Sequence, residues 1–152
     1  MVMKFSLEGM PINHDFYSSD YIKGLLAQTK VIALVGASPR SDRDSHRVMQ
    51  FLLNCNYDVI PVNPKEAGNL ILGSVCMSSL ADIRQSVDMV DIFRTPDAAL
   101  GITREAIAID AKIIWMQLGV RHSLAAEIAE AAGLRVVMDR CPKIELEKYS
   151  LD

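Results

Sequence analysis

The stretch VIALVGASPRSDRDSHRVMQFLL, residues 31–53, begins with a β-branched apolar run, passes a single glycine and ends in an amphipathic pattern. The run at 31–36 has the length and composition of a strand that is buried on both faces. Apolar residues then recur at the spacing of one helix face between Val48 and Cys55, which predicts a helix beginning near Asp44 or Ser45. This order is typical of nucleotide-binding folds. The dinucleotide signature G-x-G-x-x-G is nevertheless missing, because one glycine stands alone.

Further apolar runs alternate with helical patterns along the rest of the chain. Strands are predicted over 57–63, 87–93, 112–117 and 134–138, with a short extended piece at 70–75. Helices are predicted over 18–28, 95–109 and 123–132, with Thr95 as N-cap and Pro96 as the first helical residue, and a helical turn at 79–83. This alternation predicts an α/β fold, namely a Rossmann-like three-layer sandwich with a mainly parallel sheet of about five strands.

The composition excludes several classes of protein. Half of the 152 residues are hydrophobic, 23% are charged and the net charge is -3, so an anion must be recruited by a local patch, and neither nucleic acid nor an anionic membrane is an expected partner. The three cysteines have no C-x-x-C spacing, so neither a disulfide framework nor a metal site is expected. The chain shows no signal peptide and no apolar run of about 18 residues, and we expect a soluble cytoplasmic protein of one domain.

Ligands of such sheets bind beyond the carboxyl ends of the strands, which directs attention to the loop after residue 35. Gly36 permits a tight turn, Ala37 follows it, and Ser38 offers a hydroxyl group before the helix start, where unpaired N–H groups attract anions. Basic residues crowd the same stretch: Arg40, Arg43, His46 and Arg47. The alternative is a solvated loop whose charges are partly balanced by Asp42 and Asp44.

The residues at the end of the second predicted strand distinguish between possible nucleotide cofactors. An NAD site places an acid there to bind the adenosine ribose, but this chain has Asn63, Pro64 and Lys65, with no acid before Glu66. Lysine favours a phosphate on that ribose, which indicates NADP or coenzyme A (CoA). The alternative is that Lys65 is an ordinary surface lysine.

Five short motifs in order carry a resemblance to a known family. They are Gly36-Ala37-Ser38, Val62-Asn63-Pro64, Phe93-Arg94-Thr95-Pro96, Trp115-Met116-Gln117-Leu118-Gly119, and the tail from Gly133 to Pro142 with its Asp139-Arg140-Cys141. Over about residues 25–148 the chain resembles the stand-alone CoA-binding proteins, which are similar to the CoA-binding domain of the succinyl-CoA synthetase α subunit. Residues 1–24 would be an N-terminal extension with a leading helix.

The resemblance implies a Rossmann-like domain that holds CoA or an acyl-CoA at its carboxyl edge. The turn from Gly36 to Ser38 would face the diphosphate, and Asn63, Pro64 and Lys65 would lie near the phosphorylated ribose. Phe93, Arg94 and Thr95 would border the adenine. Gln117 and Gly119 follow the fourth strand and are further candidates for ligand contact.

The same resemblance implies an absence. Acyl transfer in the synthetases depends on a phosphorylated histidine in a second domain and on a partner subunit, whereas this sequence ends nine residues after Cys141-Pro142-Lys143. No histidine has a Ser or Cys partner at an interpretable spacing, so no catalytic residue is assigned. We expect a non-catalytic module that stores, senses or delivers its ligand. A homodimer and an unidentified acyl-CoA-using protein both stay open as partners.

Two alternatives remain. An NADP-dependent oxidoreductase is disfavoured because one glycine replaces three and no Tyr-x-x-x-Lys is present. A redox protein would form a mixed disulfide between Cys141 and CoA, since Arg140 and Lys143 flank this cysteine and positive neighbours favour the nucleophilic thiolate. In the opposing interpretation Cys141 only fills space where the chain turns.

Overall fold

A computed structural model describes residues 12–149 of the chain. Its strands are β1 (Val31–Val35), β2 (Asp58–Val62), β3 (Leu70–Ile71), β4 (Ser74–Val75), β5 (Met89–Ile92), β6 (Ile113–Met116) and β7 (Arg135–Val137). Its α helices are α1 (Ser19–Gln28), α2 (Asp44–Asn54), α3 (Ala99–Ala108), α4 (Ser123–Ala131) and α5 (Pro142–Tyr149). Strands β2, β1, β5, β6 and β7 form, in this order, one parallel sheet, so the predicted α/β fold and sheet are confirmed.

Helices cover both faces of the sheet. Apolar residues of α1, α2 and α5 pack on one face, and those of α3 and α4 pack on the other. Alternate residues of each strand enter the two layers, so Met89 belongs to the first core and Val90 to the second. Burial on both faces explains why these strands are nearly continuous apolar runs in the sequence.

The strand order changes direction beside β1. The chain passes from β1 to β2 on one side and then returns across β1 to β5 on the other. At such a switch point the connections leave the sheet edge in opposite directions and a crevice opens beyond the carboxyl ends of the strands. The site is therefore expected beyond Val35 and Ile92.

The outer edge of β7 is closed by two tyrosines. The Tyr21 hydroxyl donates to the Val136 carbonyl at 2.7 Å and accepts from the Val136 amide at 3.2 Å. The Tyr17 hydroxyl accepts from the Met138 amide at 2.8 Å. Because these groups would otherwise offer a free strand edge, the tyrosines block edge-to-edge pairing there.

Several local predictions differ from the structure. Thr95 occupies the N-cap position and Pro96 is the first helical residue, as predicted, but the Thr95 side chain makes no cap bond, and the first turn is a 3-10 turn over Pro96–Ala98, so α3 begins only at Ala99. Residues 70–75 form an antiparallel hairpin, because Leu72 and Gly73 adopt positive φ and reverse the chain.

Two further findings concern the helices and the chain ends. Helix α5 was not predicted, although Pro142 is suited to the first helical position. Residues 1–11, most of the proposed extension before α1, lie outside the described residues. No helix within residues 12–149 has the length and apolar character needed to cross a membrane.

Candidate functional site

The loop between β1 and α2 begins with a tight contact between two strand ends. Gly36 adopts φ +95°, and a Cβ atom on it would lie 2.1 Å from the Phe93 carbonyl oxygen. The Gly36 amide donates to the Val62 carbonyl at 2.9 Å, and the Phe93 amide donates to the Val35 carbonyl at 2.8 Å. Only glycine fits this position, so the turn is held between the ends of β2 and β5.

Side chains brace the loop from behind. His46 Nδ1–H donates to the Ser38 carbonyl at 2.9 Å, and Asn63 Nδ2 donates to the Ala37 carbonyl at 2.8 Å. The Ser38 hydroxyl accepts from the Arg40 amide at 3.1 Å and keeps its own proton for a ligand. His46 and Asn63 are thus used within the protein to position the loop.

Helix α2 starts without a side-chain cap. Arg43 occupies the N-cap position and makes no capping hydrogen bond. The His46 and Arg47 amides donate to the Arg43 carbonyl at 3.1 and 3.2 Å, which leaves the Asp44 and Ser45 amides open to an acceptor from outside the helix, and the positive end of the helix dipole adds to them. The start of α2 is therefore suited to an anion, as the sequence predicts.

Each predicted anion-binding arginine has an acidic partner close by in the chain, Arg40 on the loop and Arg47 on α2. Arg40 pairs with Asp42 at 2.9 Å, and Arg47 pairs with Asp44, with more than half of each arginine side chain exposed. Exposed pairs of this kind contribute little to stability. An arriving phosphate would therefore exchange partners with these arginines at small cost.

An open cleft of about 740 Å³ lies on this loop, and we call it the loop cleft. Its walls combine the loop, the start of α2 and the ends of β2 and β5: Gly36, Ala37, Ser38, Arg40, Asp42, Arg43, Asp44, Ser45, Arg47, Asn63, Glu66 and Phe93. The cleft lies at the switch point of the sheet. Its geometry suits a phosphorylated ligand.

The turn after β2 places an acid, rather than the lysine, on the cleft wall. Asn63 Oδ1 accepts from the Lys65 amide at 3.0 Å at the start of the 3-10 turn Pro64–Glu66. Glu66 lines the loop cleft, and its Oε1 accepts from Asn69 at 3.2 Å, whereas the Lys65 side chain is exposed and outside the wall. The sequence could not show this arrangement, because neighbouring residues of a tight turn point in different directions.

Two loops are fastened together at the far end of the site. The Arg140 amide donates to the Met116 carbonyl at 3.2 Å, and the Trp115 indole donates to the Arg140 carbonyl at 2.8 Å. The Gly119 amide donates to Asp139 Oδ1 at 2.7 Å, with Gly119 at φ +81°. The segment before Cys141 is consequently held against the end of β6.

A second cleft of about 380 Å³, the apolar cleft, adjoins the first. It is lined by Asp44, Arg47, Val48, Phe93, Gln117, Leu118, Cys141, Lys143 and Ile144. Three of these residues, Asp44, Arg47 and Phe93, also line the loop cleft, so the two clefts are neighbours that share part of their walls. Leu118 and Ile144 are among the exposed large apolar side chains of the protein, and such side chains beside a cleft indicate contact with a ligand or partner.

The remaining predicted residues fall outside both walls. His46, Pro64, Lys65, Arg94, Thr95 and Gly119 are not among the lining residues of either cleft. The Thr95 side chain is instead hydrogen-bonded to Asp97. This hydrogen bond is the main reason why the pKa of Asp97 lies below its ordinary value. Sequence reasoning missed Val48 and Ile144 as cleft residues; the helical spacing around Val48 indicated only burial.

The other histidines have structural partners. His14 Nδ1 lies 2.6 Å from the Tyr17 hydroxyl, and His14 Nε2 lies 3.2 Å from Glu130 Oε2. His122 Nδ1 accepts from the Ala125 amide at 3.1 Å and caps α4. These contacts hold the N-terminal segment and a helix end.

The three cysteines differ in surroundings. Cys76 is buried, its Sγ lies 3.6 Å from the Asn63 carbonyl oxygen, and burial raises the pKa of its thiol. Cys55 follows the last residue of α2 and is half-buried. Cys141 lines the apolar cleft while being only 5% exposed.

Comparison with known proteins agrees with this geometry. Residues 30–147 match the model of the family described as the CoA binding domain. This range contains all the residues that line the two clefts. The chain belongs to this family. Membership in the CoA binding domain family supports CoA binding as its general function, and it confirms the resemblance that the five motifs indicated.

Individual relatives share much of the chain. The protein YneT of Bacillus subtilis strain 168 is 38% identical over 125 residues, which cover 81% of this chain and 90% of that protein. The solved structure of a protein from Pyrococcus horikoshii OT3 is 38% identical in sequence, with a TM-score of 0.83, and the match covers 91% of this chain and 96% of that chain.

A larger enzyme contains the same fold. The dinucleotide-forming acetyl-coenzyme A synthetase 1 of Ca. Korarchaeum cryptofilum, solved with phosphate and ADP, matches with a TM-score of 0.63. The match covers 70% of this chain but 25% of the synthetase chain. At 24% identity this likeness shows the fold alone.

Proposed function

We propose that the protein binds CoA or an acyl-CoA without transforming it, as a module that stores, senses or delivers the ligand to a CoA-using protein. The observation that carries this proposal is that two chemically different clefts share a wall at the switch point of the sheet. CoA has the same division, with a polar nucleotide joined to a long pantetheine arm.

The nucleotide half suits the loop cleft. The diphosphate would lie against Ser38 and the uncapped start of α2, with Arg40 and Arg47 leaving their aspartates to contact it. Charge-assisted hydrogen bonds to phosphate are among the stronger polar contacts in proteins. Phe93 would border the base, with its ring between the two clefts.

The pantetheine half suits the apolar cleft. Val48, Leu118 and Ile144 offer apolar contact for its methyl groups and methylenes. NADP instead carries a second ribose with two free hydroxyl groups and a nicotinamide carboxamide, and these apolar side chains would leave such groups without hydrogen-bond partners. The arrangement therefore favours CoA over NADP.

The ribose phosphate remains part of the proposal, with Lys65 as its partner. The exposed Lys65 side chain on the Pro64–Glu66 turn would reach over the rim of the loop cleft. We predict that CoA binds more tightly than dephospho-CoA by about ten- to a hundredfold, because a charge-assisted contact is worth about 1.5–3 kcal/mol. Isothermal titration calorimetry of CoA, dephospho-CoA and NADP measures the three affinities.

Lys65→Ala should bring the CoA and dephospho-CoA affinities together, whereas Lys112→Ala, at an exposed lysine beside the opposite sheet edge, should keep them apart. Equal affinities for CoA and dephospho-CoA in the parent protein would remove the ribose phosphate from the proposal. NADP binding more tightly than CoA would overturn the proposed function.

A further inference from the structure

We propose that Cys141 is a thiol–disulfide exchange site that captures the thiol end of the bound ligand as a mixed disulfide. The inference rests on the proposed function, since CoA supplies the second thiol. It adds a covalent, reversible state to a protein that otherwise only binds.

The first support is the position of the cysteine. Four hydrogen bonds fasten residues 139 and 140, which directly precede Cys141, to the end of β6 and the loop after it: Arg140 to Met116, Trp115 to Arg140, Gly119 to Asp139, and Asp139 to Val120. They bring Cys141 beside Gln117 and Leu118 on the wall of the apolar cleft. With Cys141 only 5% exposed, the cleft is the route by which a ligand thiol reaches it.

The second support is an unused polar group in the same wall. Gln117 is 6% exposed, and its Oε1 has no hydrogen-bond partner among residues 12–149. A buried amide oxygen without a partner is costly, so such a group normally meets a donor. The pantetheine arm carries two amide N–H groups, and one of them would satisfy Gln117 on the way to Cys141.

The flanking cations do not act as the sequence alone suggests. Arg140 lies 3.5 Å from Glu145 and over the Tyr17 ring, and Lys143 lies 3.1 Å from Glu147. Because carboxylates partly neutralise both charges, activation by Arg140 and Lys143 is not the basis of the proposal. The proposal is based on proximity, because binding holds the ligand thiol beside one cysteine at high effective concentration.

The reaction balances as a disulfide exchange. The Cys141 thiolate attacks one sulfur of a disulfide that contains a pantetheine half, such as CoA disulfide. A Cys141–CoA disulfide forms, the original S–S bond breaks, and the other half leaves as a thiol. The oxidising equivalents come from the incoming disulfide. A free thiol in excess reverses the reaction by the same exchange.

The experiment uses the full chain, reduced and then freed of reductant. CoA disulfide is added, and intact mass is followed over time beside a parallel reaction with glutathione disulfide, which lacks the nucleotide. We expect one CoA moiety per chain, removed by dithiothreitol. Labelling by CoA disulfide should be at least about tenfold faster than labelling by glutathione disulfide, because nucleotide binding concentrates the reagent in the cleft.

Matched controls locate the adduct. Cys141→Ser should abolish it, while Cys76→Ser and Cys55→Ser should retain it, and peptide mapping of the labelled parent gives the same answer if a variant fails to fold. Desulfo-CoA, which binds but has no thiol, should slow labelling by occupying both clefts. An adduct that maps to Cys55 or Cys76 would overturn the inference.

Calorimetry separates this inference from the proposed function. If CoA binds but no adduct forms with CoA disulfide, the exchange site is wrong and the CoA-binding module stands. If CoA does not bind and both disulfides label Cys141 at the same rate, both proposals fail, because the thiol then reacts without guidance from the nucleotide.

Discussion

Gly36 shows how a single residue can decide whether the loop cleft exists. Its amide and its backbone path are fixed by β2 and β5, and the space where a side chain would begin is occupied by the Phe93 carbonyl. Gly119 has a similar conformation, with φ +81°, but a Cβ atom there would meet nothing within 4 Å. Comparing substitutions at the two glycines therefore separates the cost of a left-handed backbone from the cost of a steric clash.

We predict that Gly36→Ala destabilises the protein more than Gly119→Ala and also abolishes CoA binding. The left-handed backbone costs a non-glycine residue about 1–2 kcal/mol at either position. Only Gly36→Ala must in addition displace the end of β5, because of the 2.1 Å contact with Phe93. Urea denaturation compares the free energies of unfolding. Equal losses for the two variants would contradict the role of the Phe93 contact.

At the scale of the element, β5 carries an acid inside the sheet. Asp91 is fully buried between Leu34 of β1 and Trp115 of β6, and neither carboxylate oxygen has a hydrogen-bond partner among the described residues. Burial raises the pKa of Asp91 well above its ordinary value, so the folded protein retains this proton at pH values where an exposed aspartate has lost it. This buried acid without a hydrogen-bond partner lowers the stability of the fold. It lies on the strand that leads directly to Phe93 in the site.

We predict that the free energy of unfolding falls less steeply with rising pH in the Asp91→Asn variant than in the parent protein. Above the ordinary aspartate pKa the unfolded chain releases a proton that the folded chain retains, so stability decreases with rising pH until the raised pKa of Asp91 is reached. The slope that this group contributes is as much as about 1.4 kcal/mol per pH unit. Denaturant titrations between pH 5 and pH 8 measure it.

Asp110→Asn is the matched control, because Asp110 is exposed and its left-handed backbone suits asparagine. It should leave the slope unchanged. A parent protein and an Asp91→Asn variant with parallel pH profiles would show that Asp91 is ionised in the folded state.

At the scale of the whole molecule, the loop cleft gathers three arginines on a protein of net charge -3. Arg40, Arg43 and Arg47 line the cleft, but Asp42, Asp44 and Glu66 line it too, so its wall carries as many acidic as basic side chains. Neither the overall field nor the summed charge of the wall therefore attracts an anion, and the local arrangement of the loop and the start of α2 must do so.

We predict that Arg40→Ala and Arg47→Ala each weaken CoA binding by about tenfold or more while changing stability by no more than about 0.5 kcal/mol. Both side chains are exposed, and each exchanges one acidic partner for a phosphate. Calorimetry and thermal unfolding provide the two measurements. Arg104→Ala, an exposed residue on α3, should alter neither, and unchanged binding in both loop variants would make the cluster a solvated surface.

Local patterns were enough to predict the layers of this fold. Apolar runs such as 31–36 and 87–93 are unbroken because both faces of the strands are buried, and burial on two faces requires helices on two sides. The turn at Gly36 and the helix start near Asp44 were predictable for the same reason, since each depends on residues adjacent in the chain.

Helix α5 shows where local information was insufficient. Its first residue, Pro142, suits a helix start, but its apolar pattern is weak, and the charged residue Glu145 is buried on it, 3.5 Å from Arg140. The helix packs against α1 and α2, so tertiary contacts stabilise a segment whose own sequence does not demand it.

The sequence by itself determined the α/β fold, the glycine turn after β1 and the cluster of basic residues that follows it, because these follow from burial periodicity and from neighbouring residues. Only the tertiary structure decided that Phe93 closes against Gly36, that Glu66 and not Lys65 forms the cleft wall, and that Gln117 and Cys141 share a second cleft. These pairings join strand ends far apart in the chain, and the direction of each side chain is set by long-range packing and hydrogen bonds that no local pattern records.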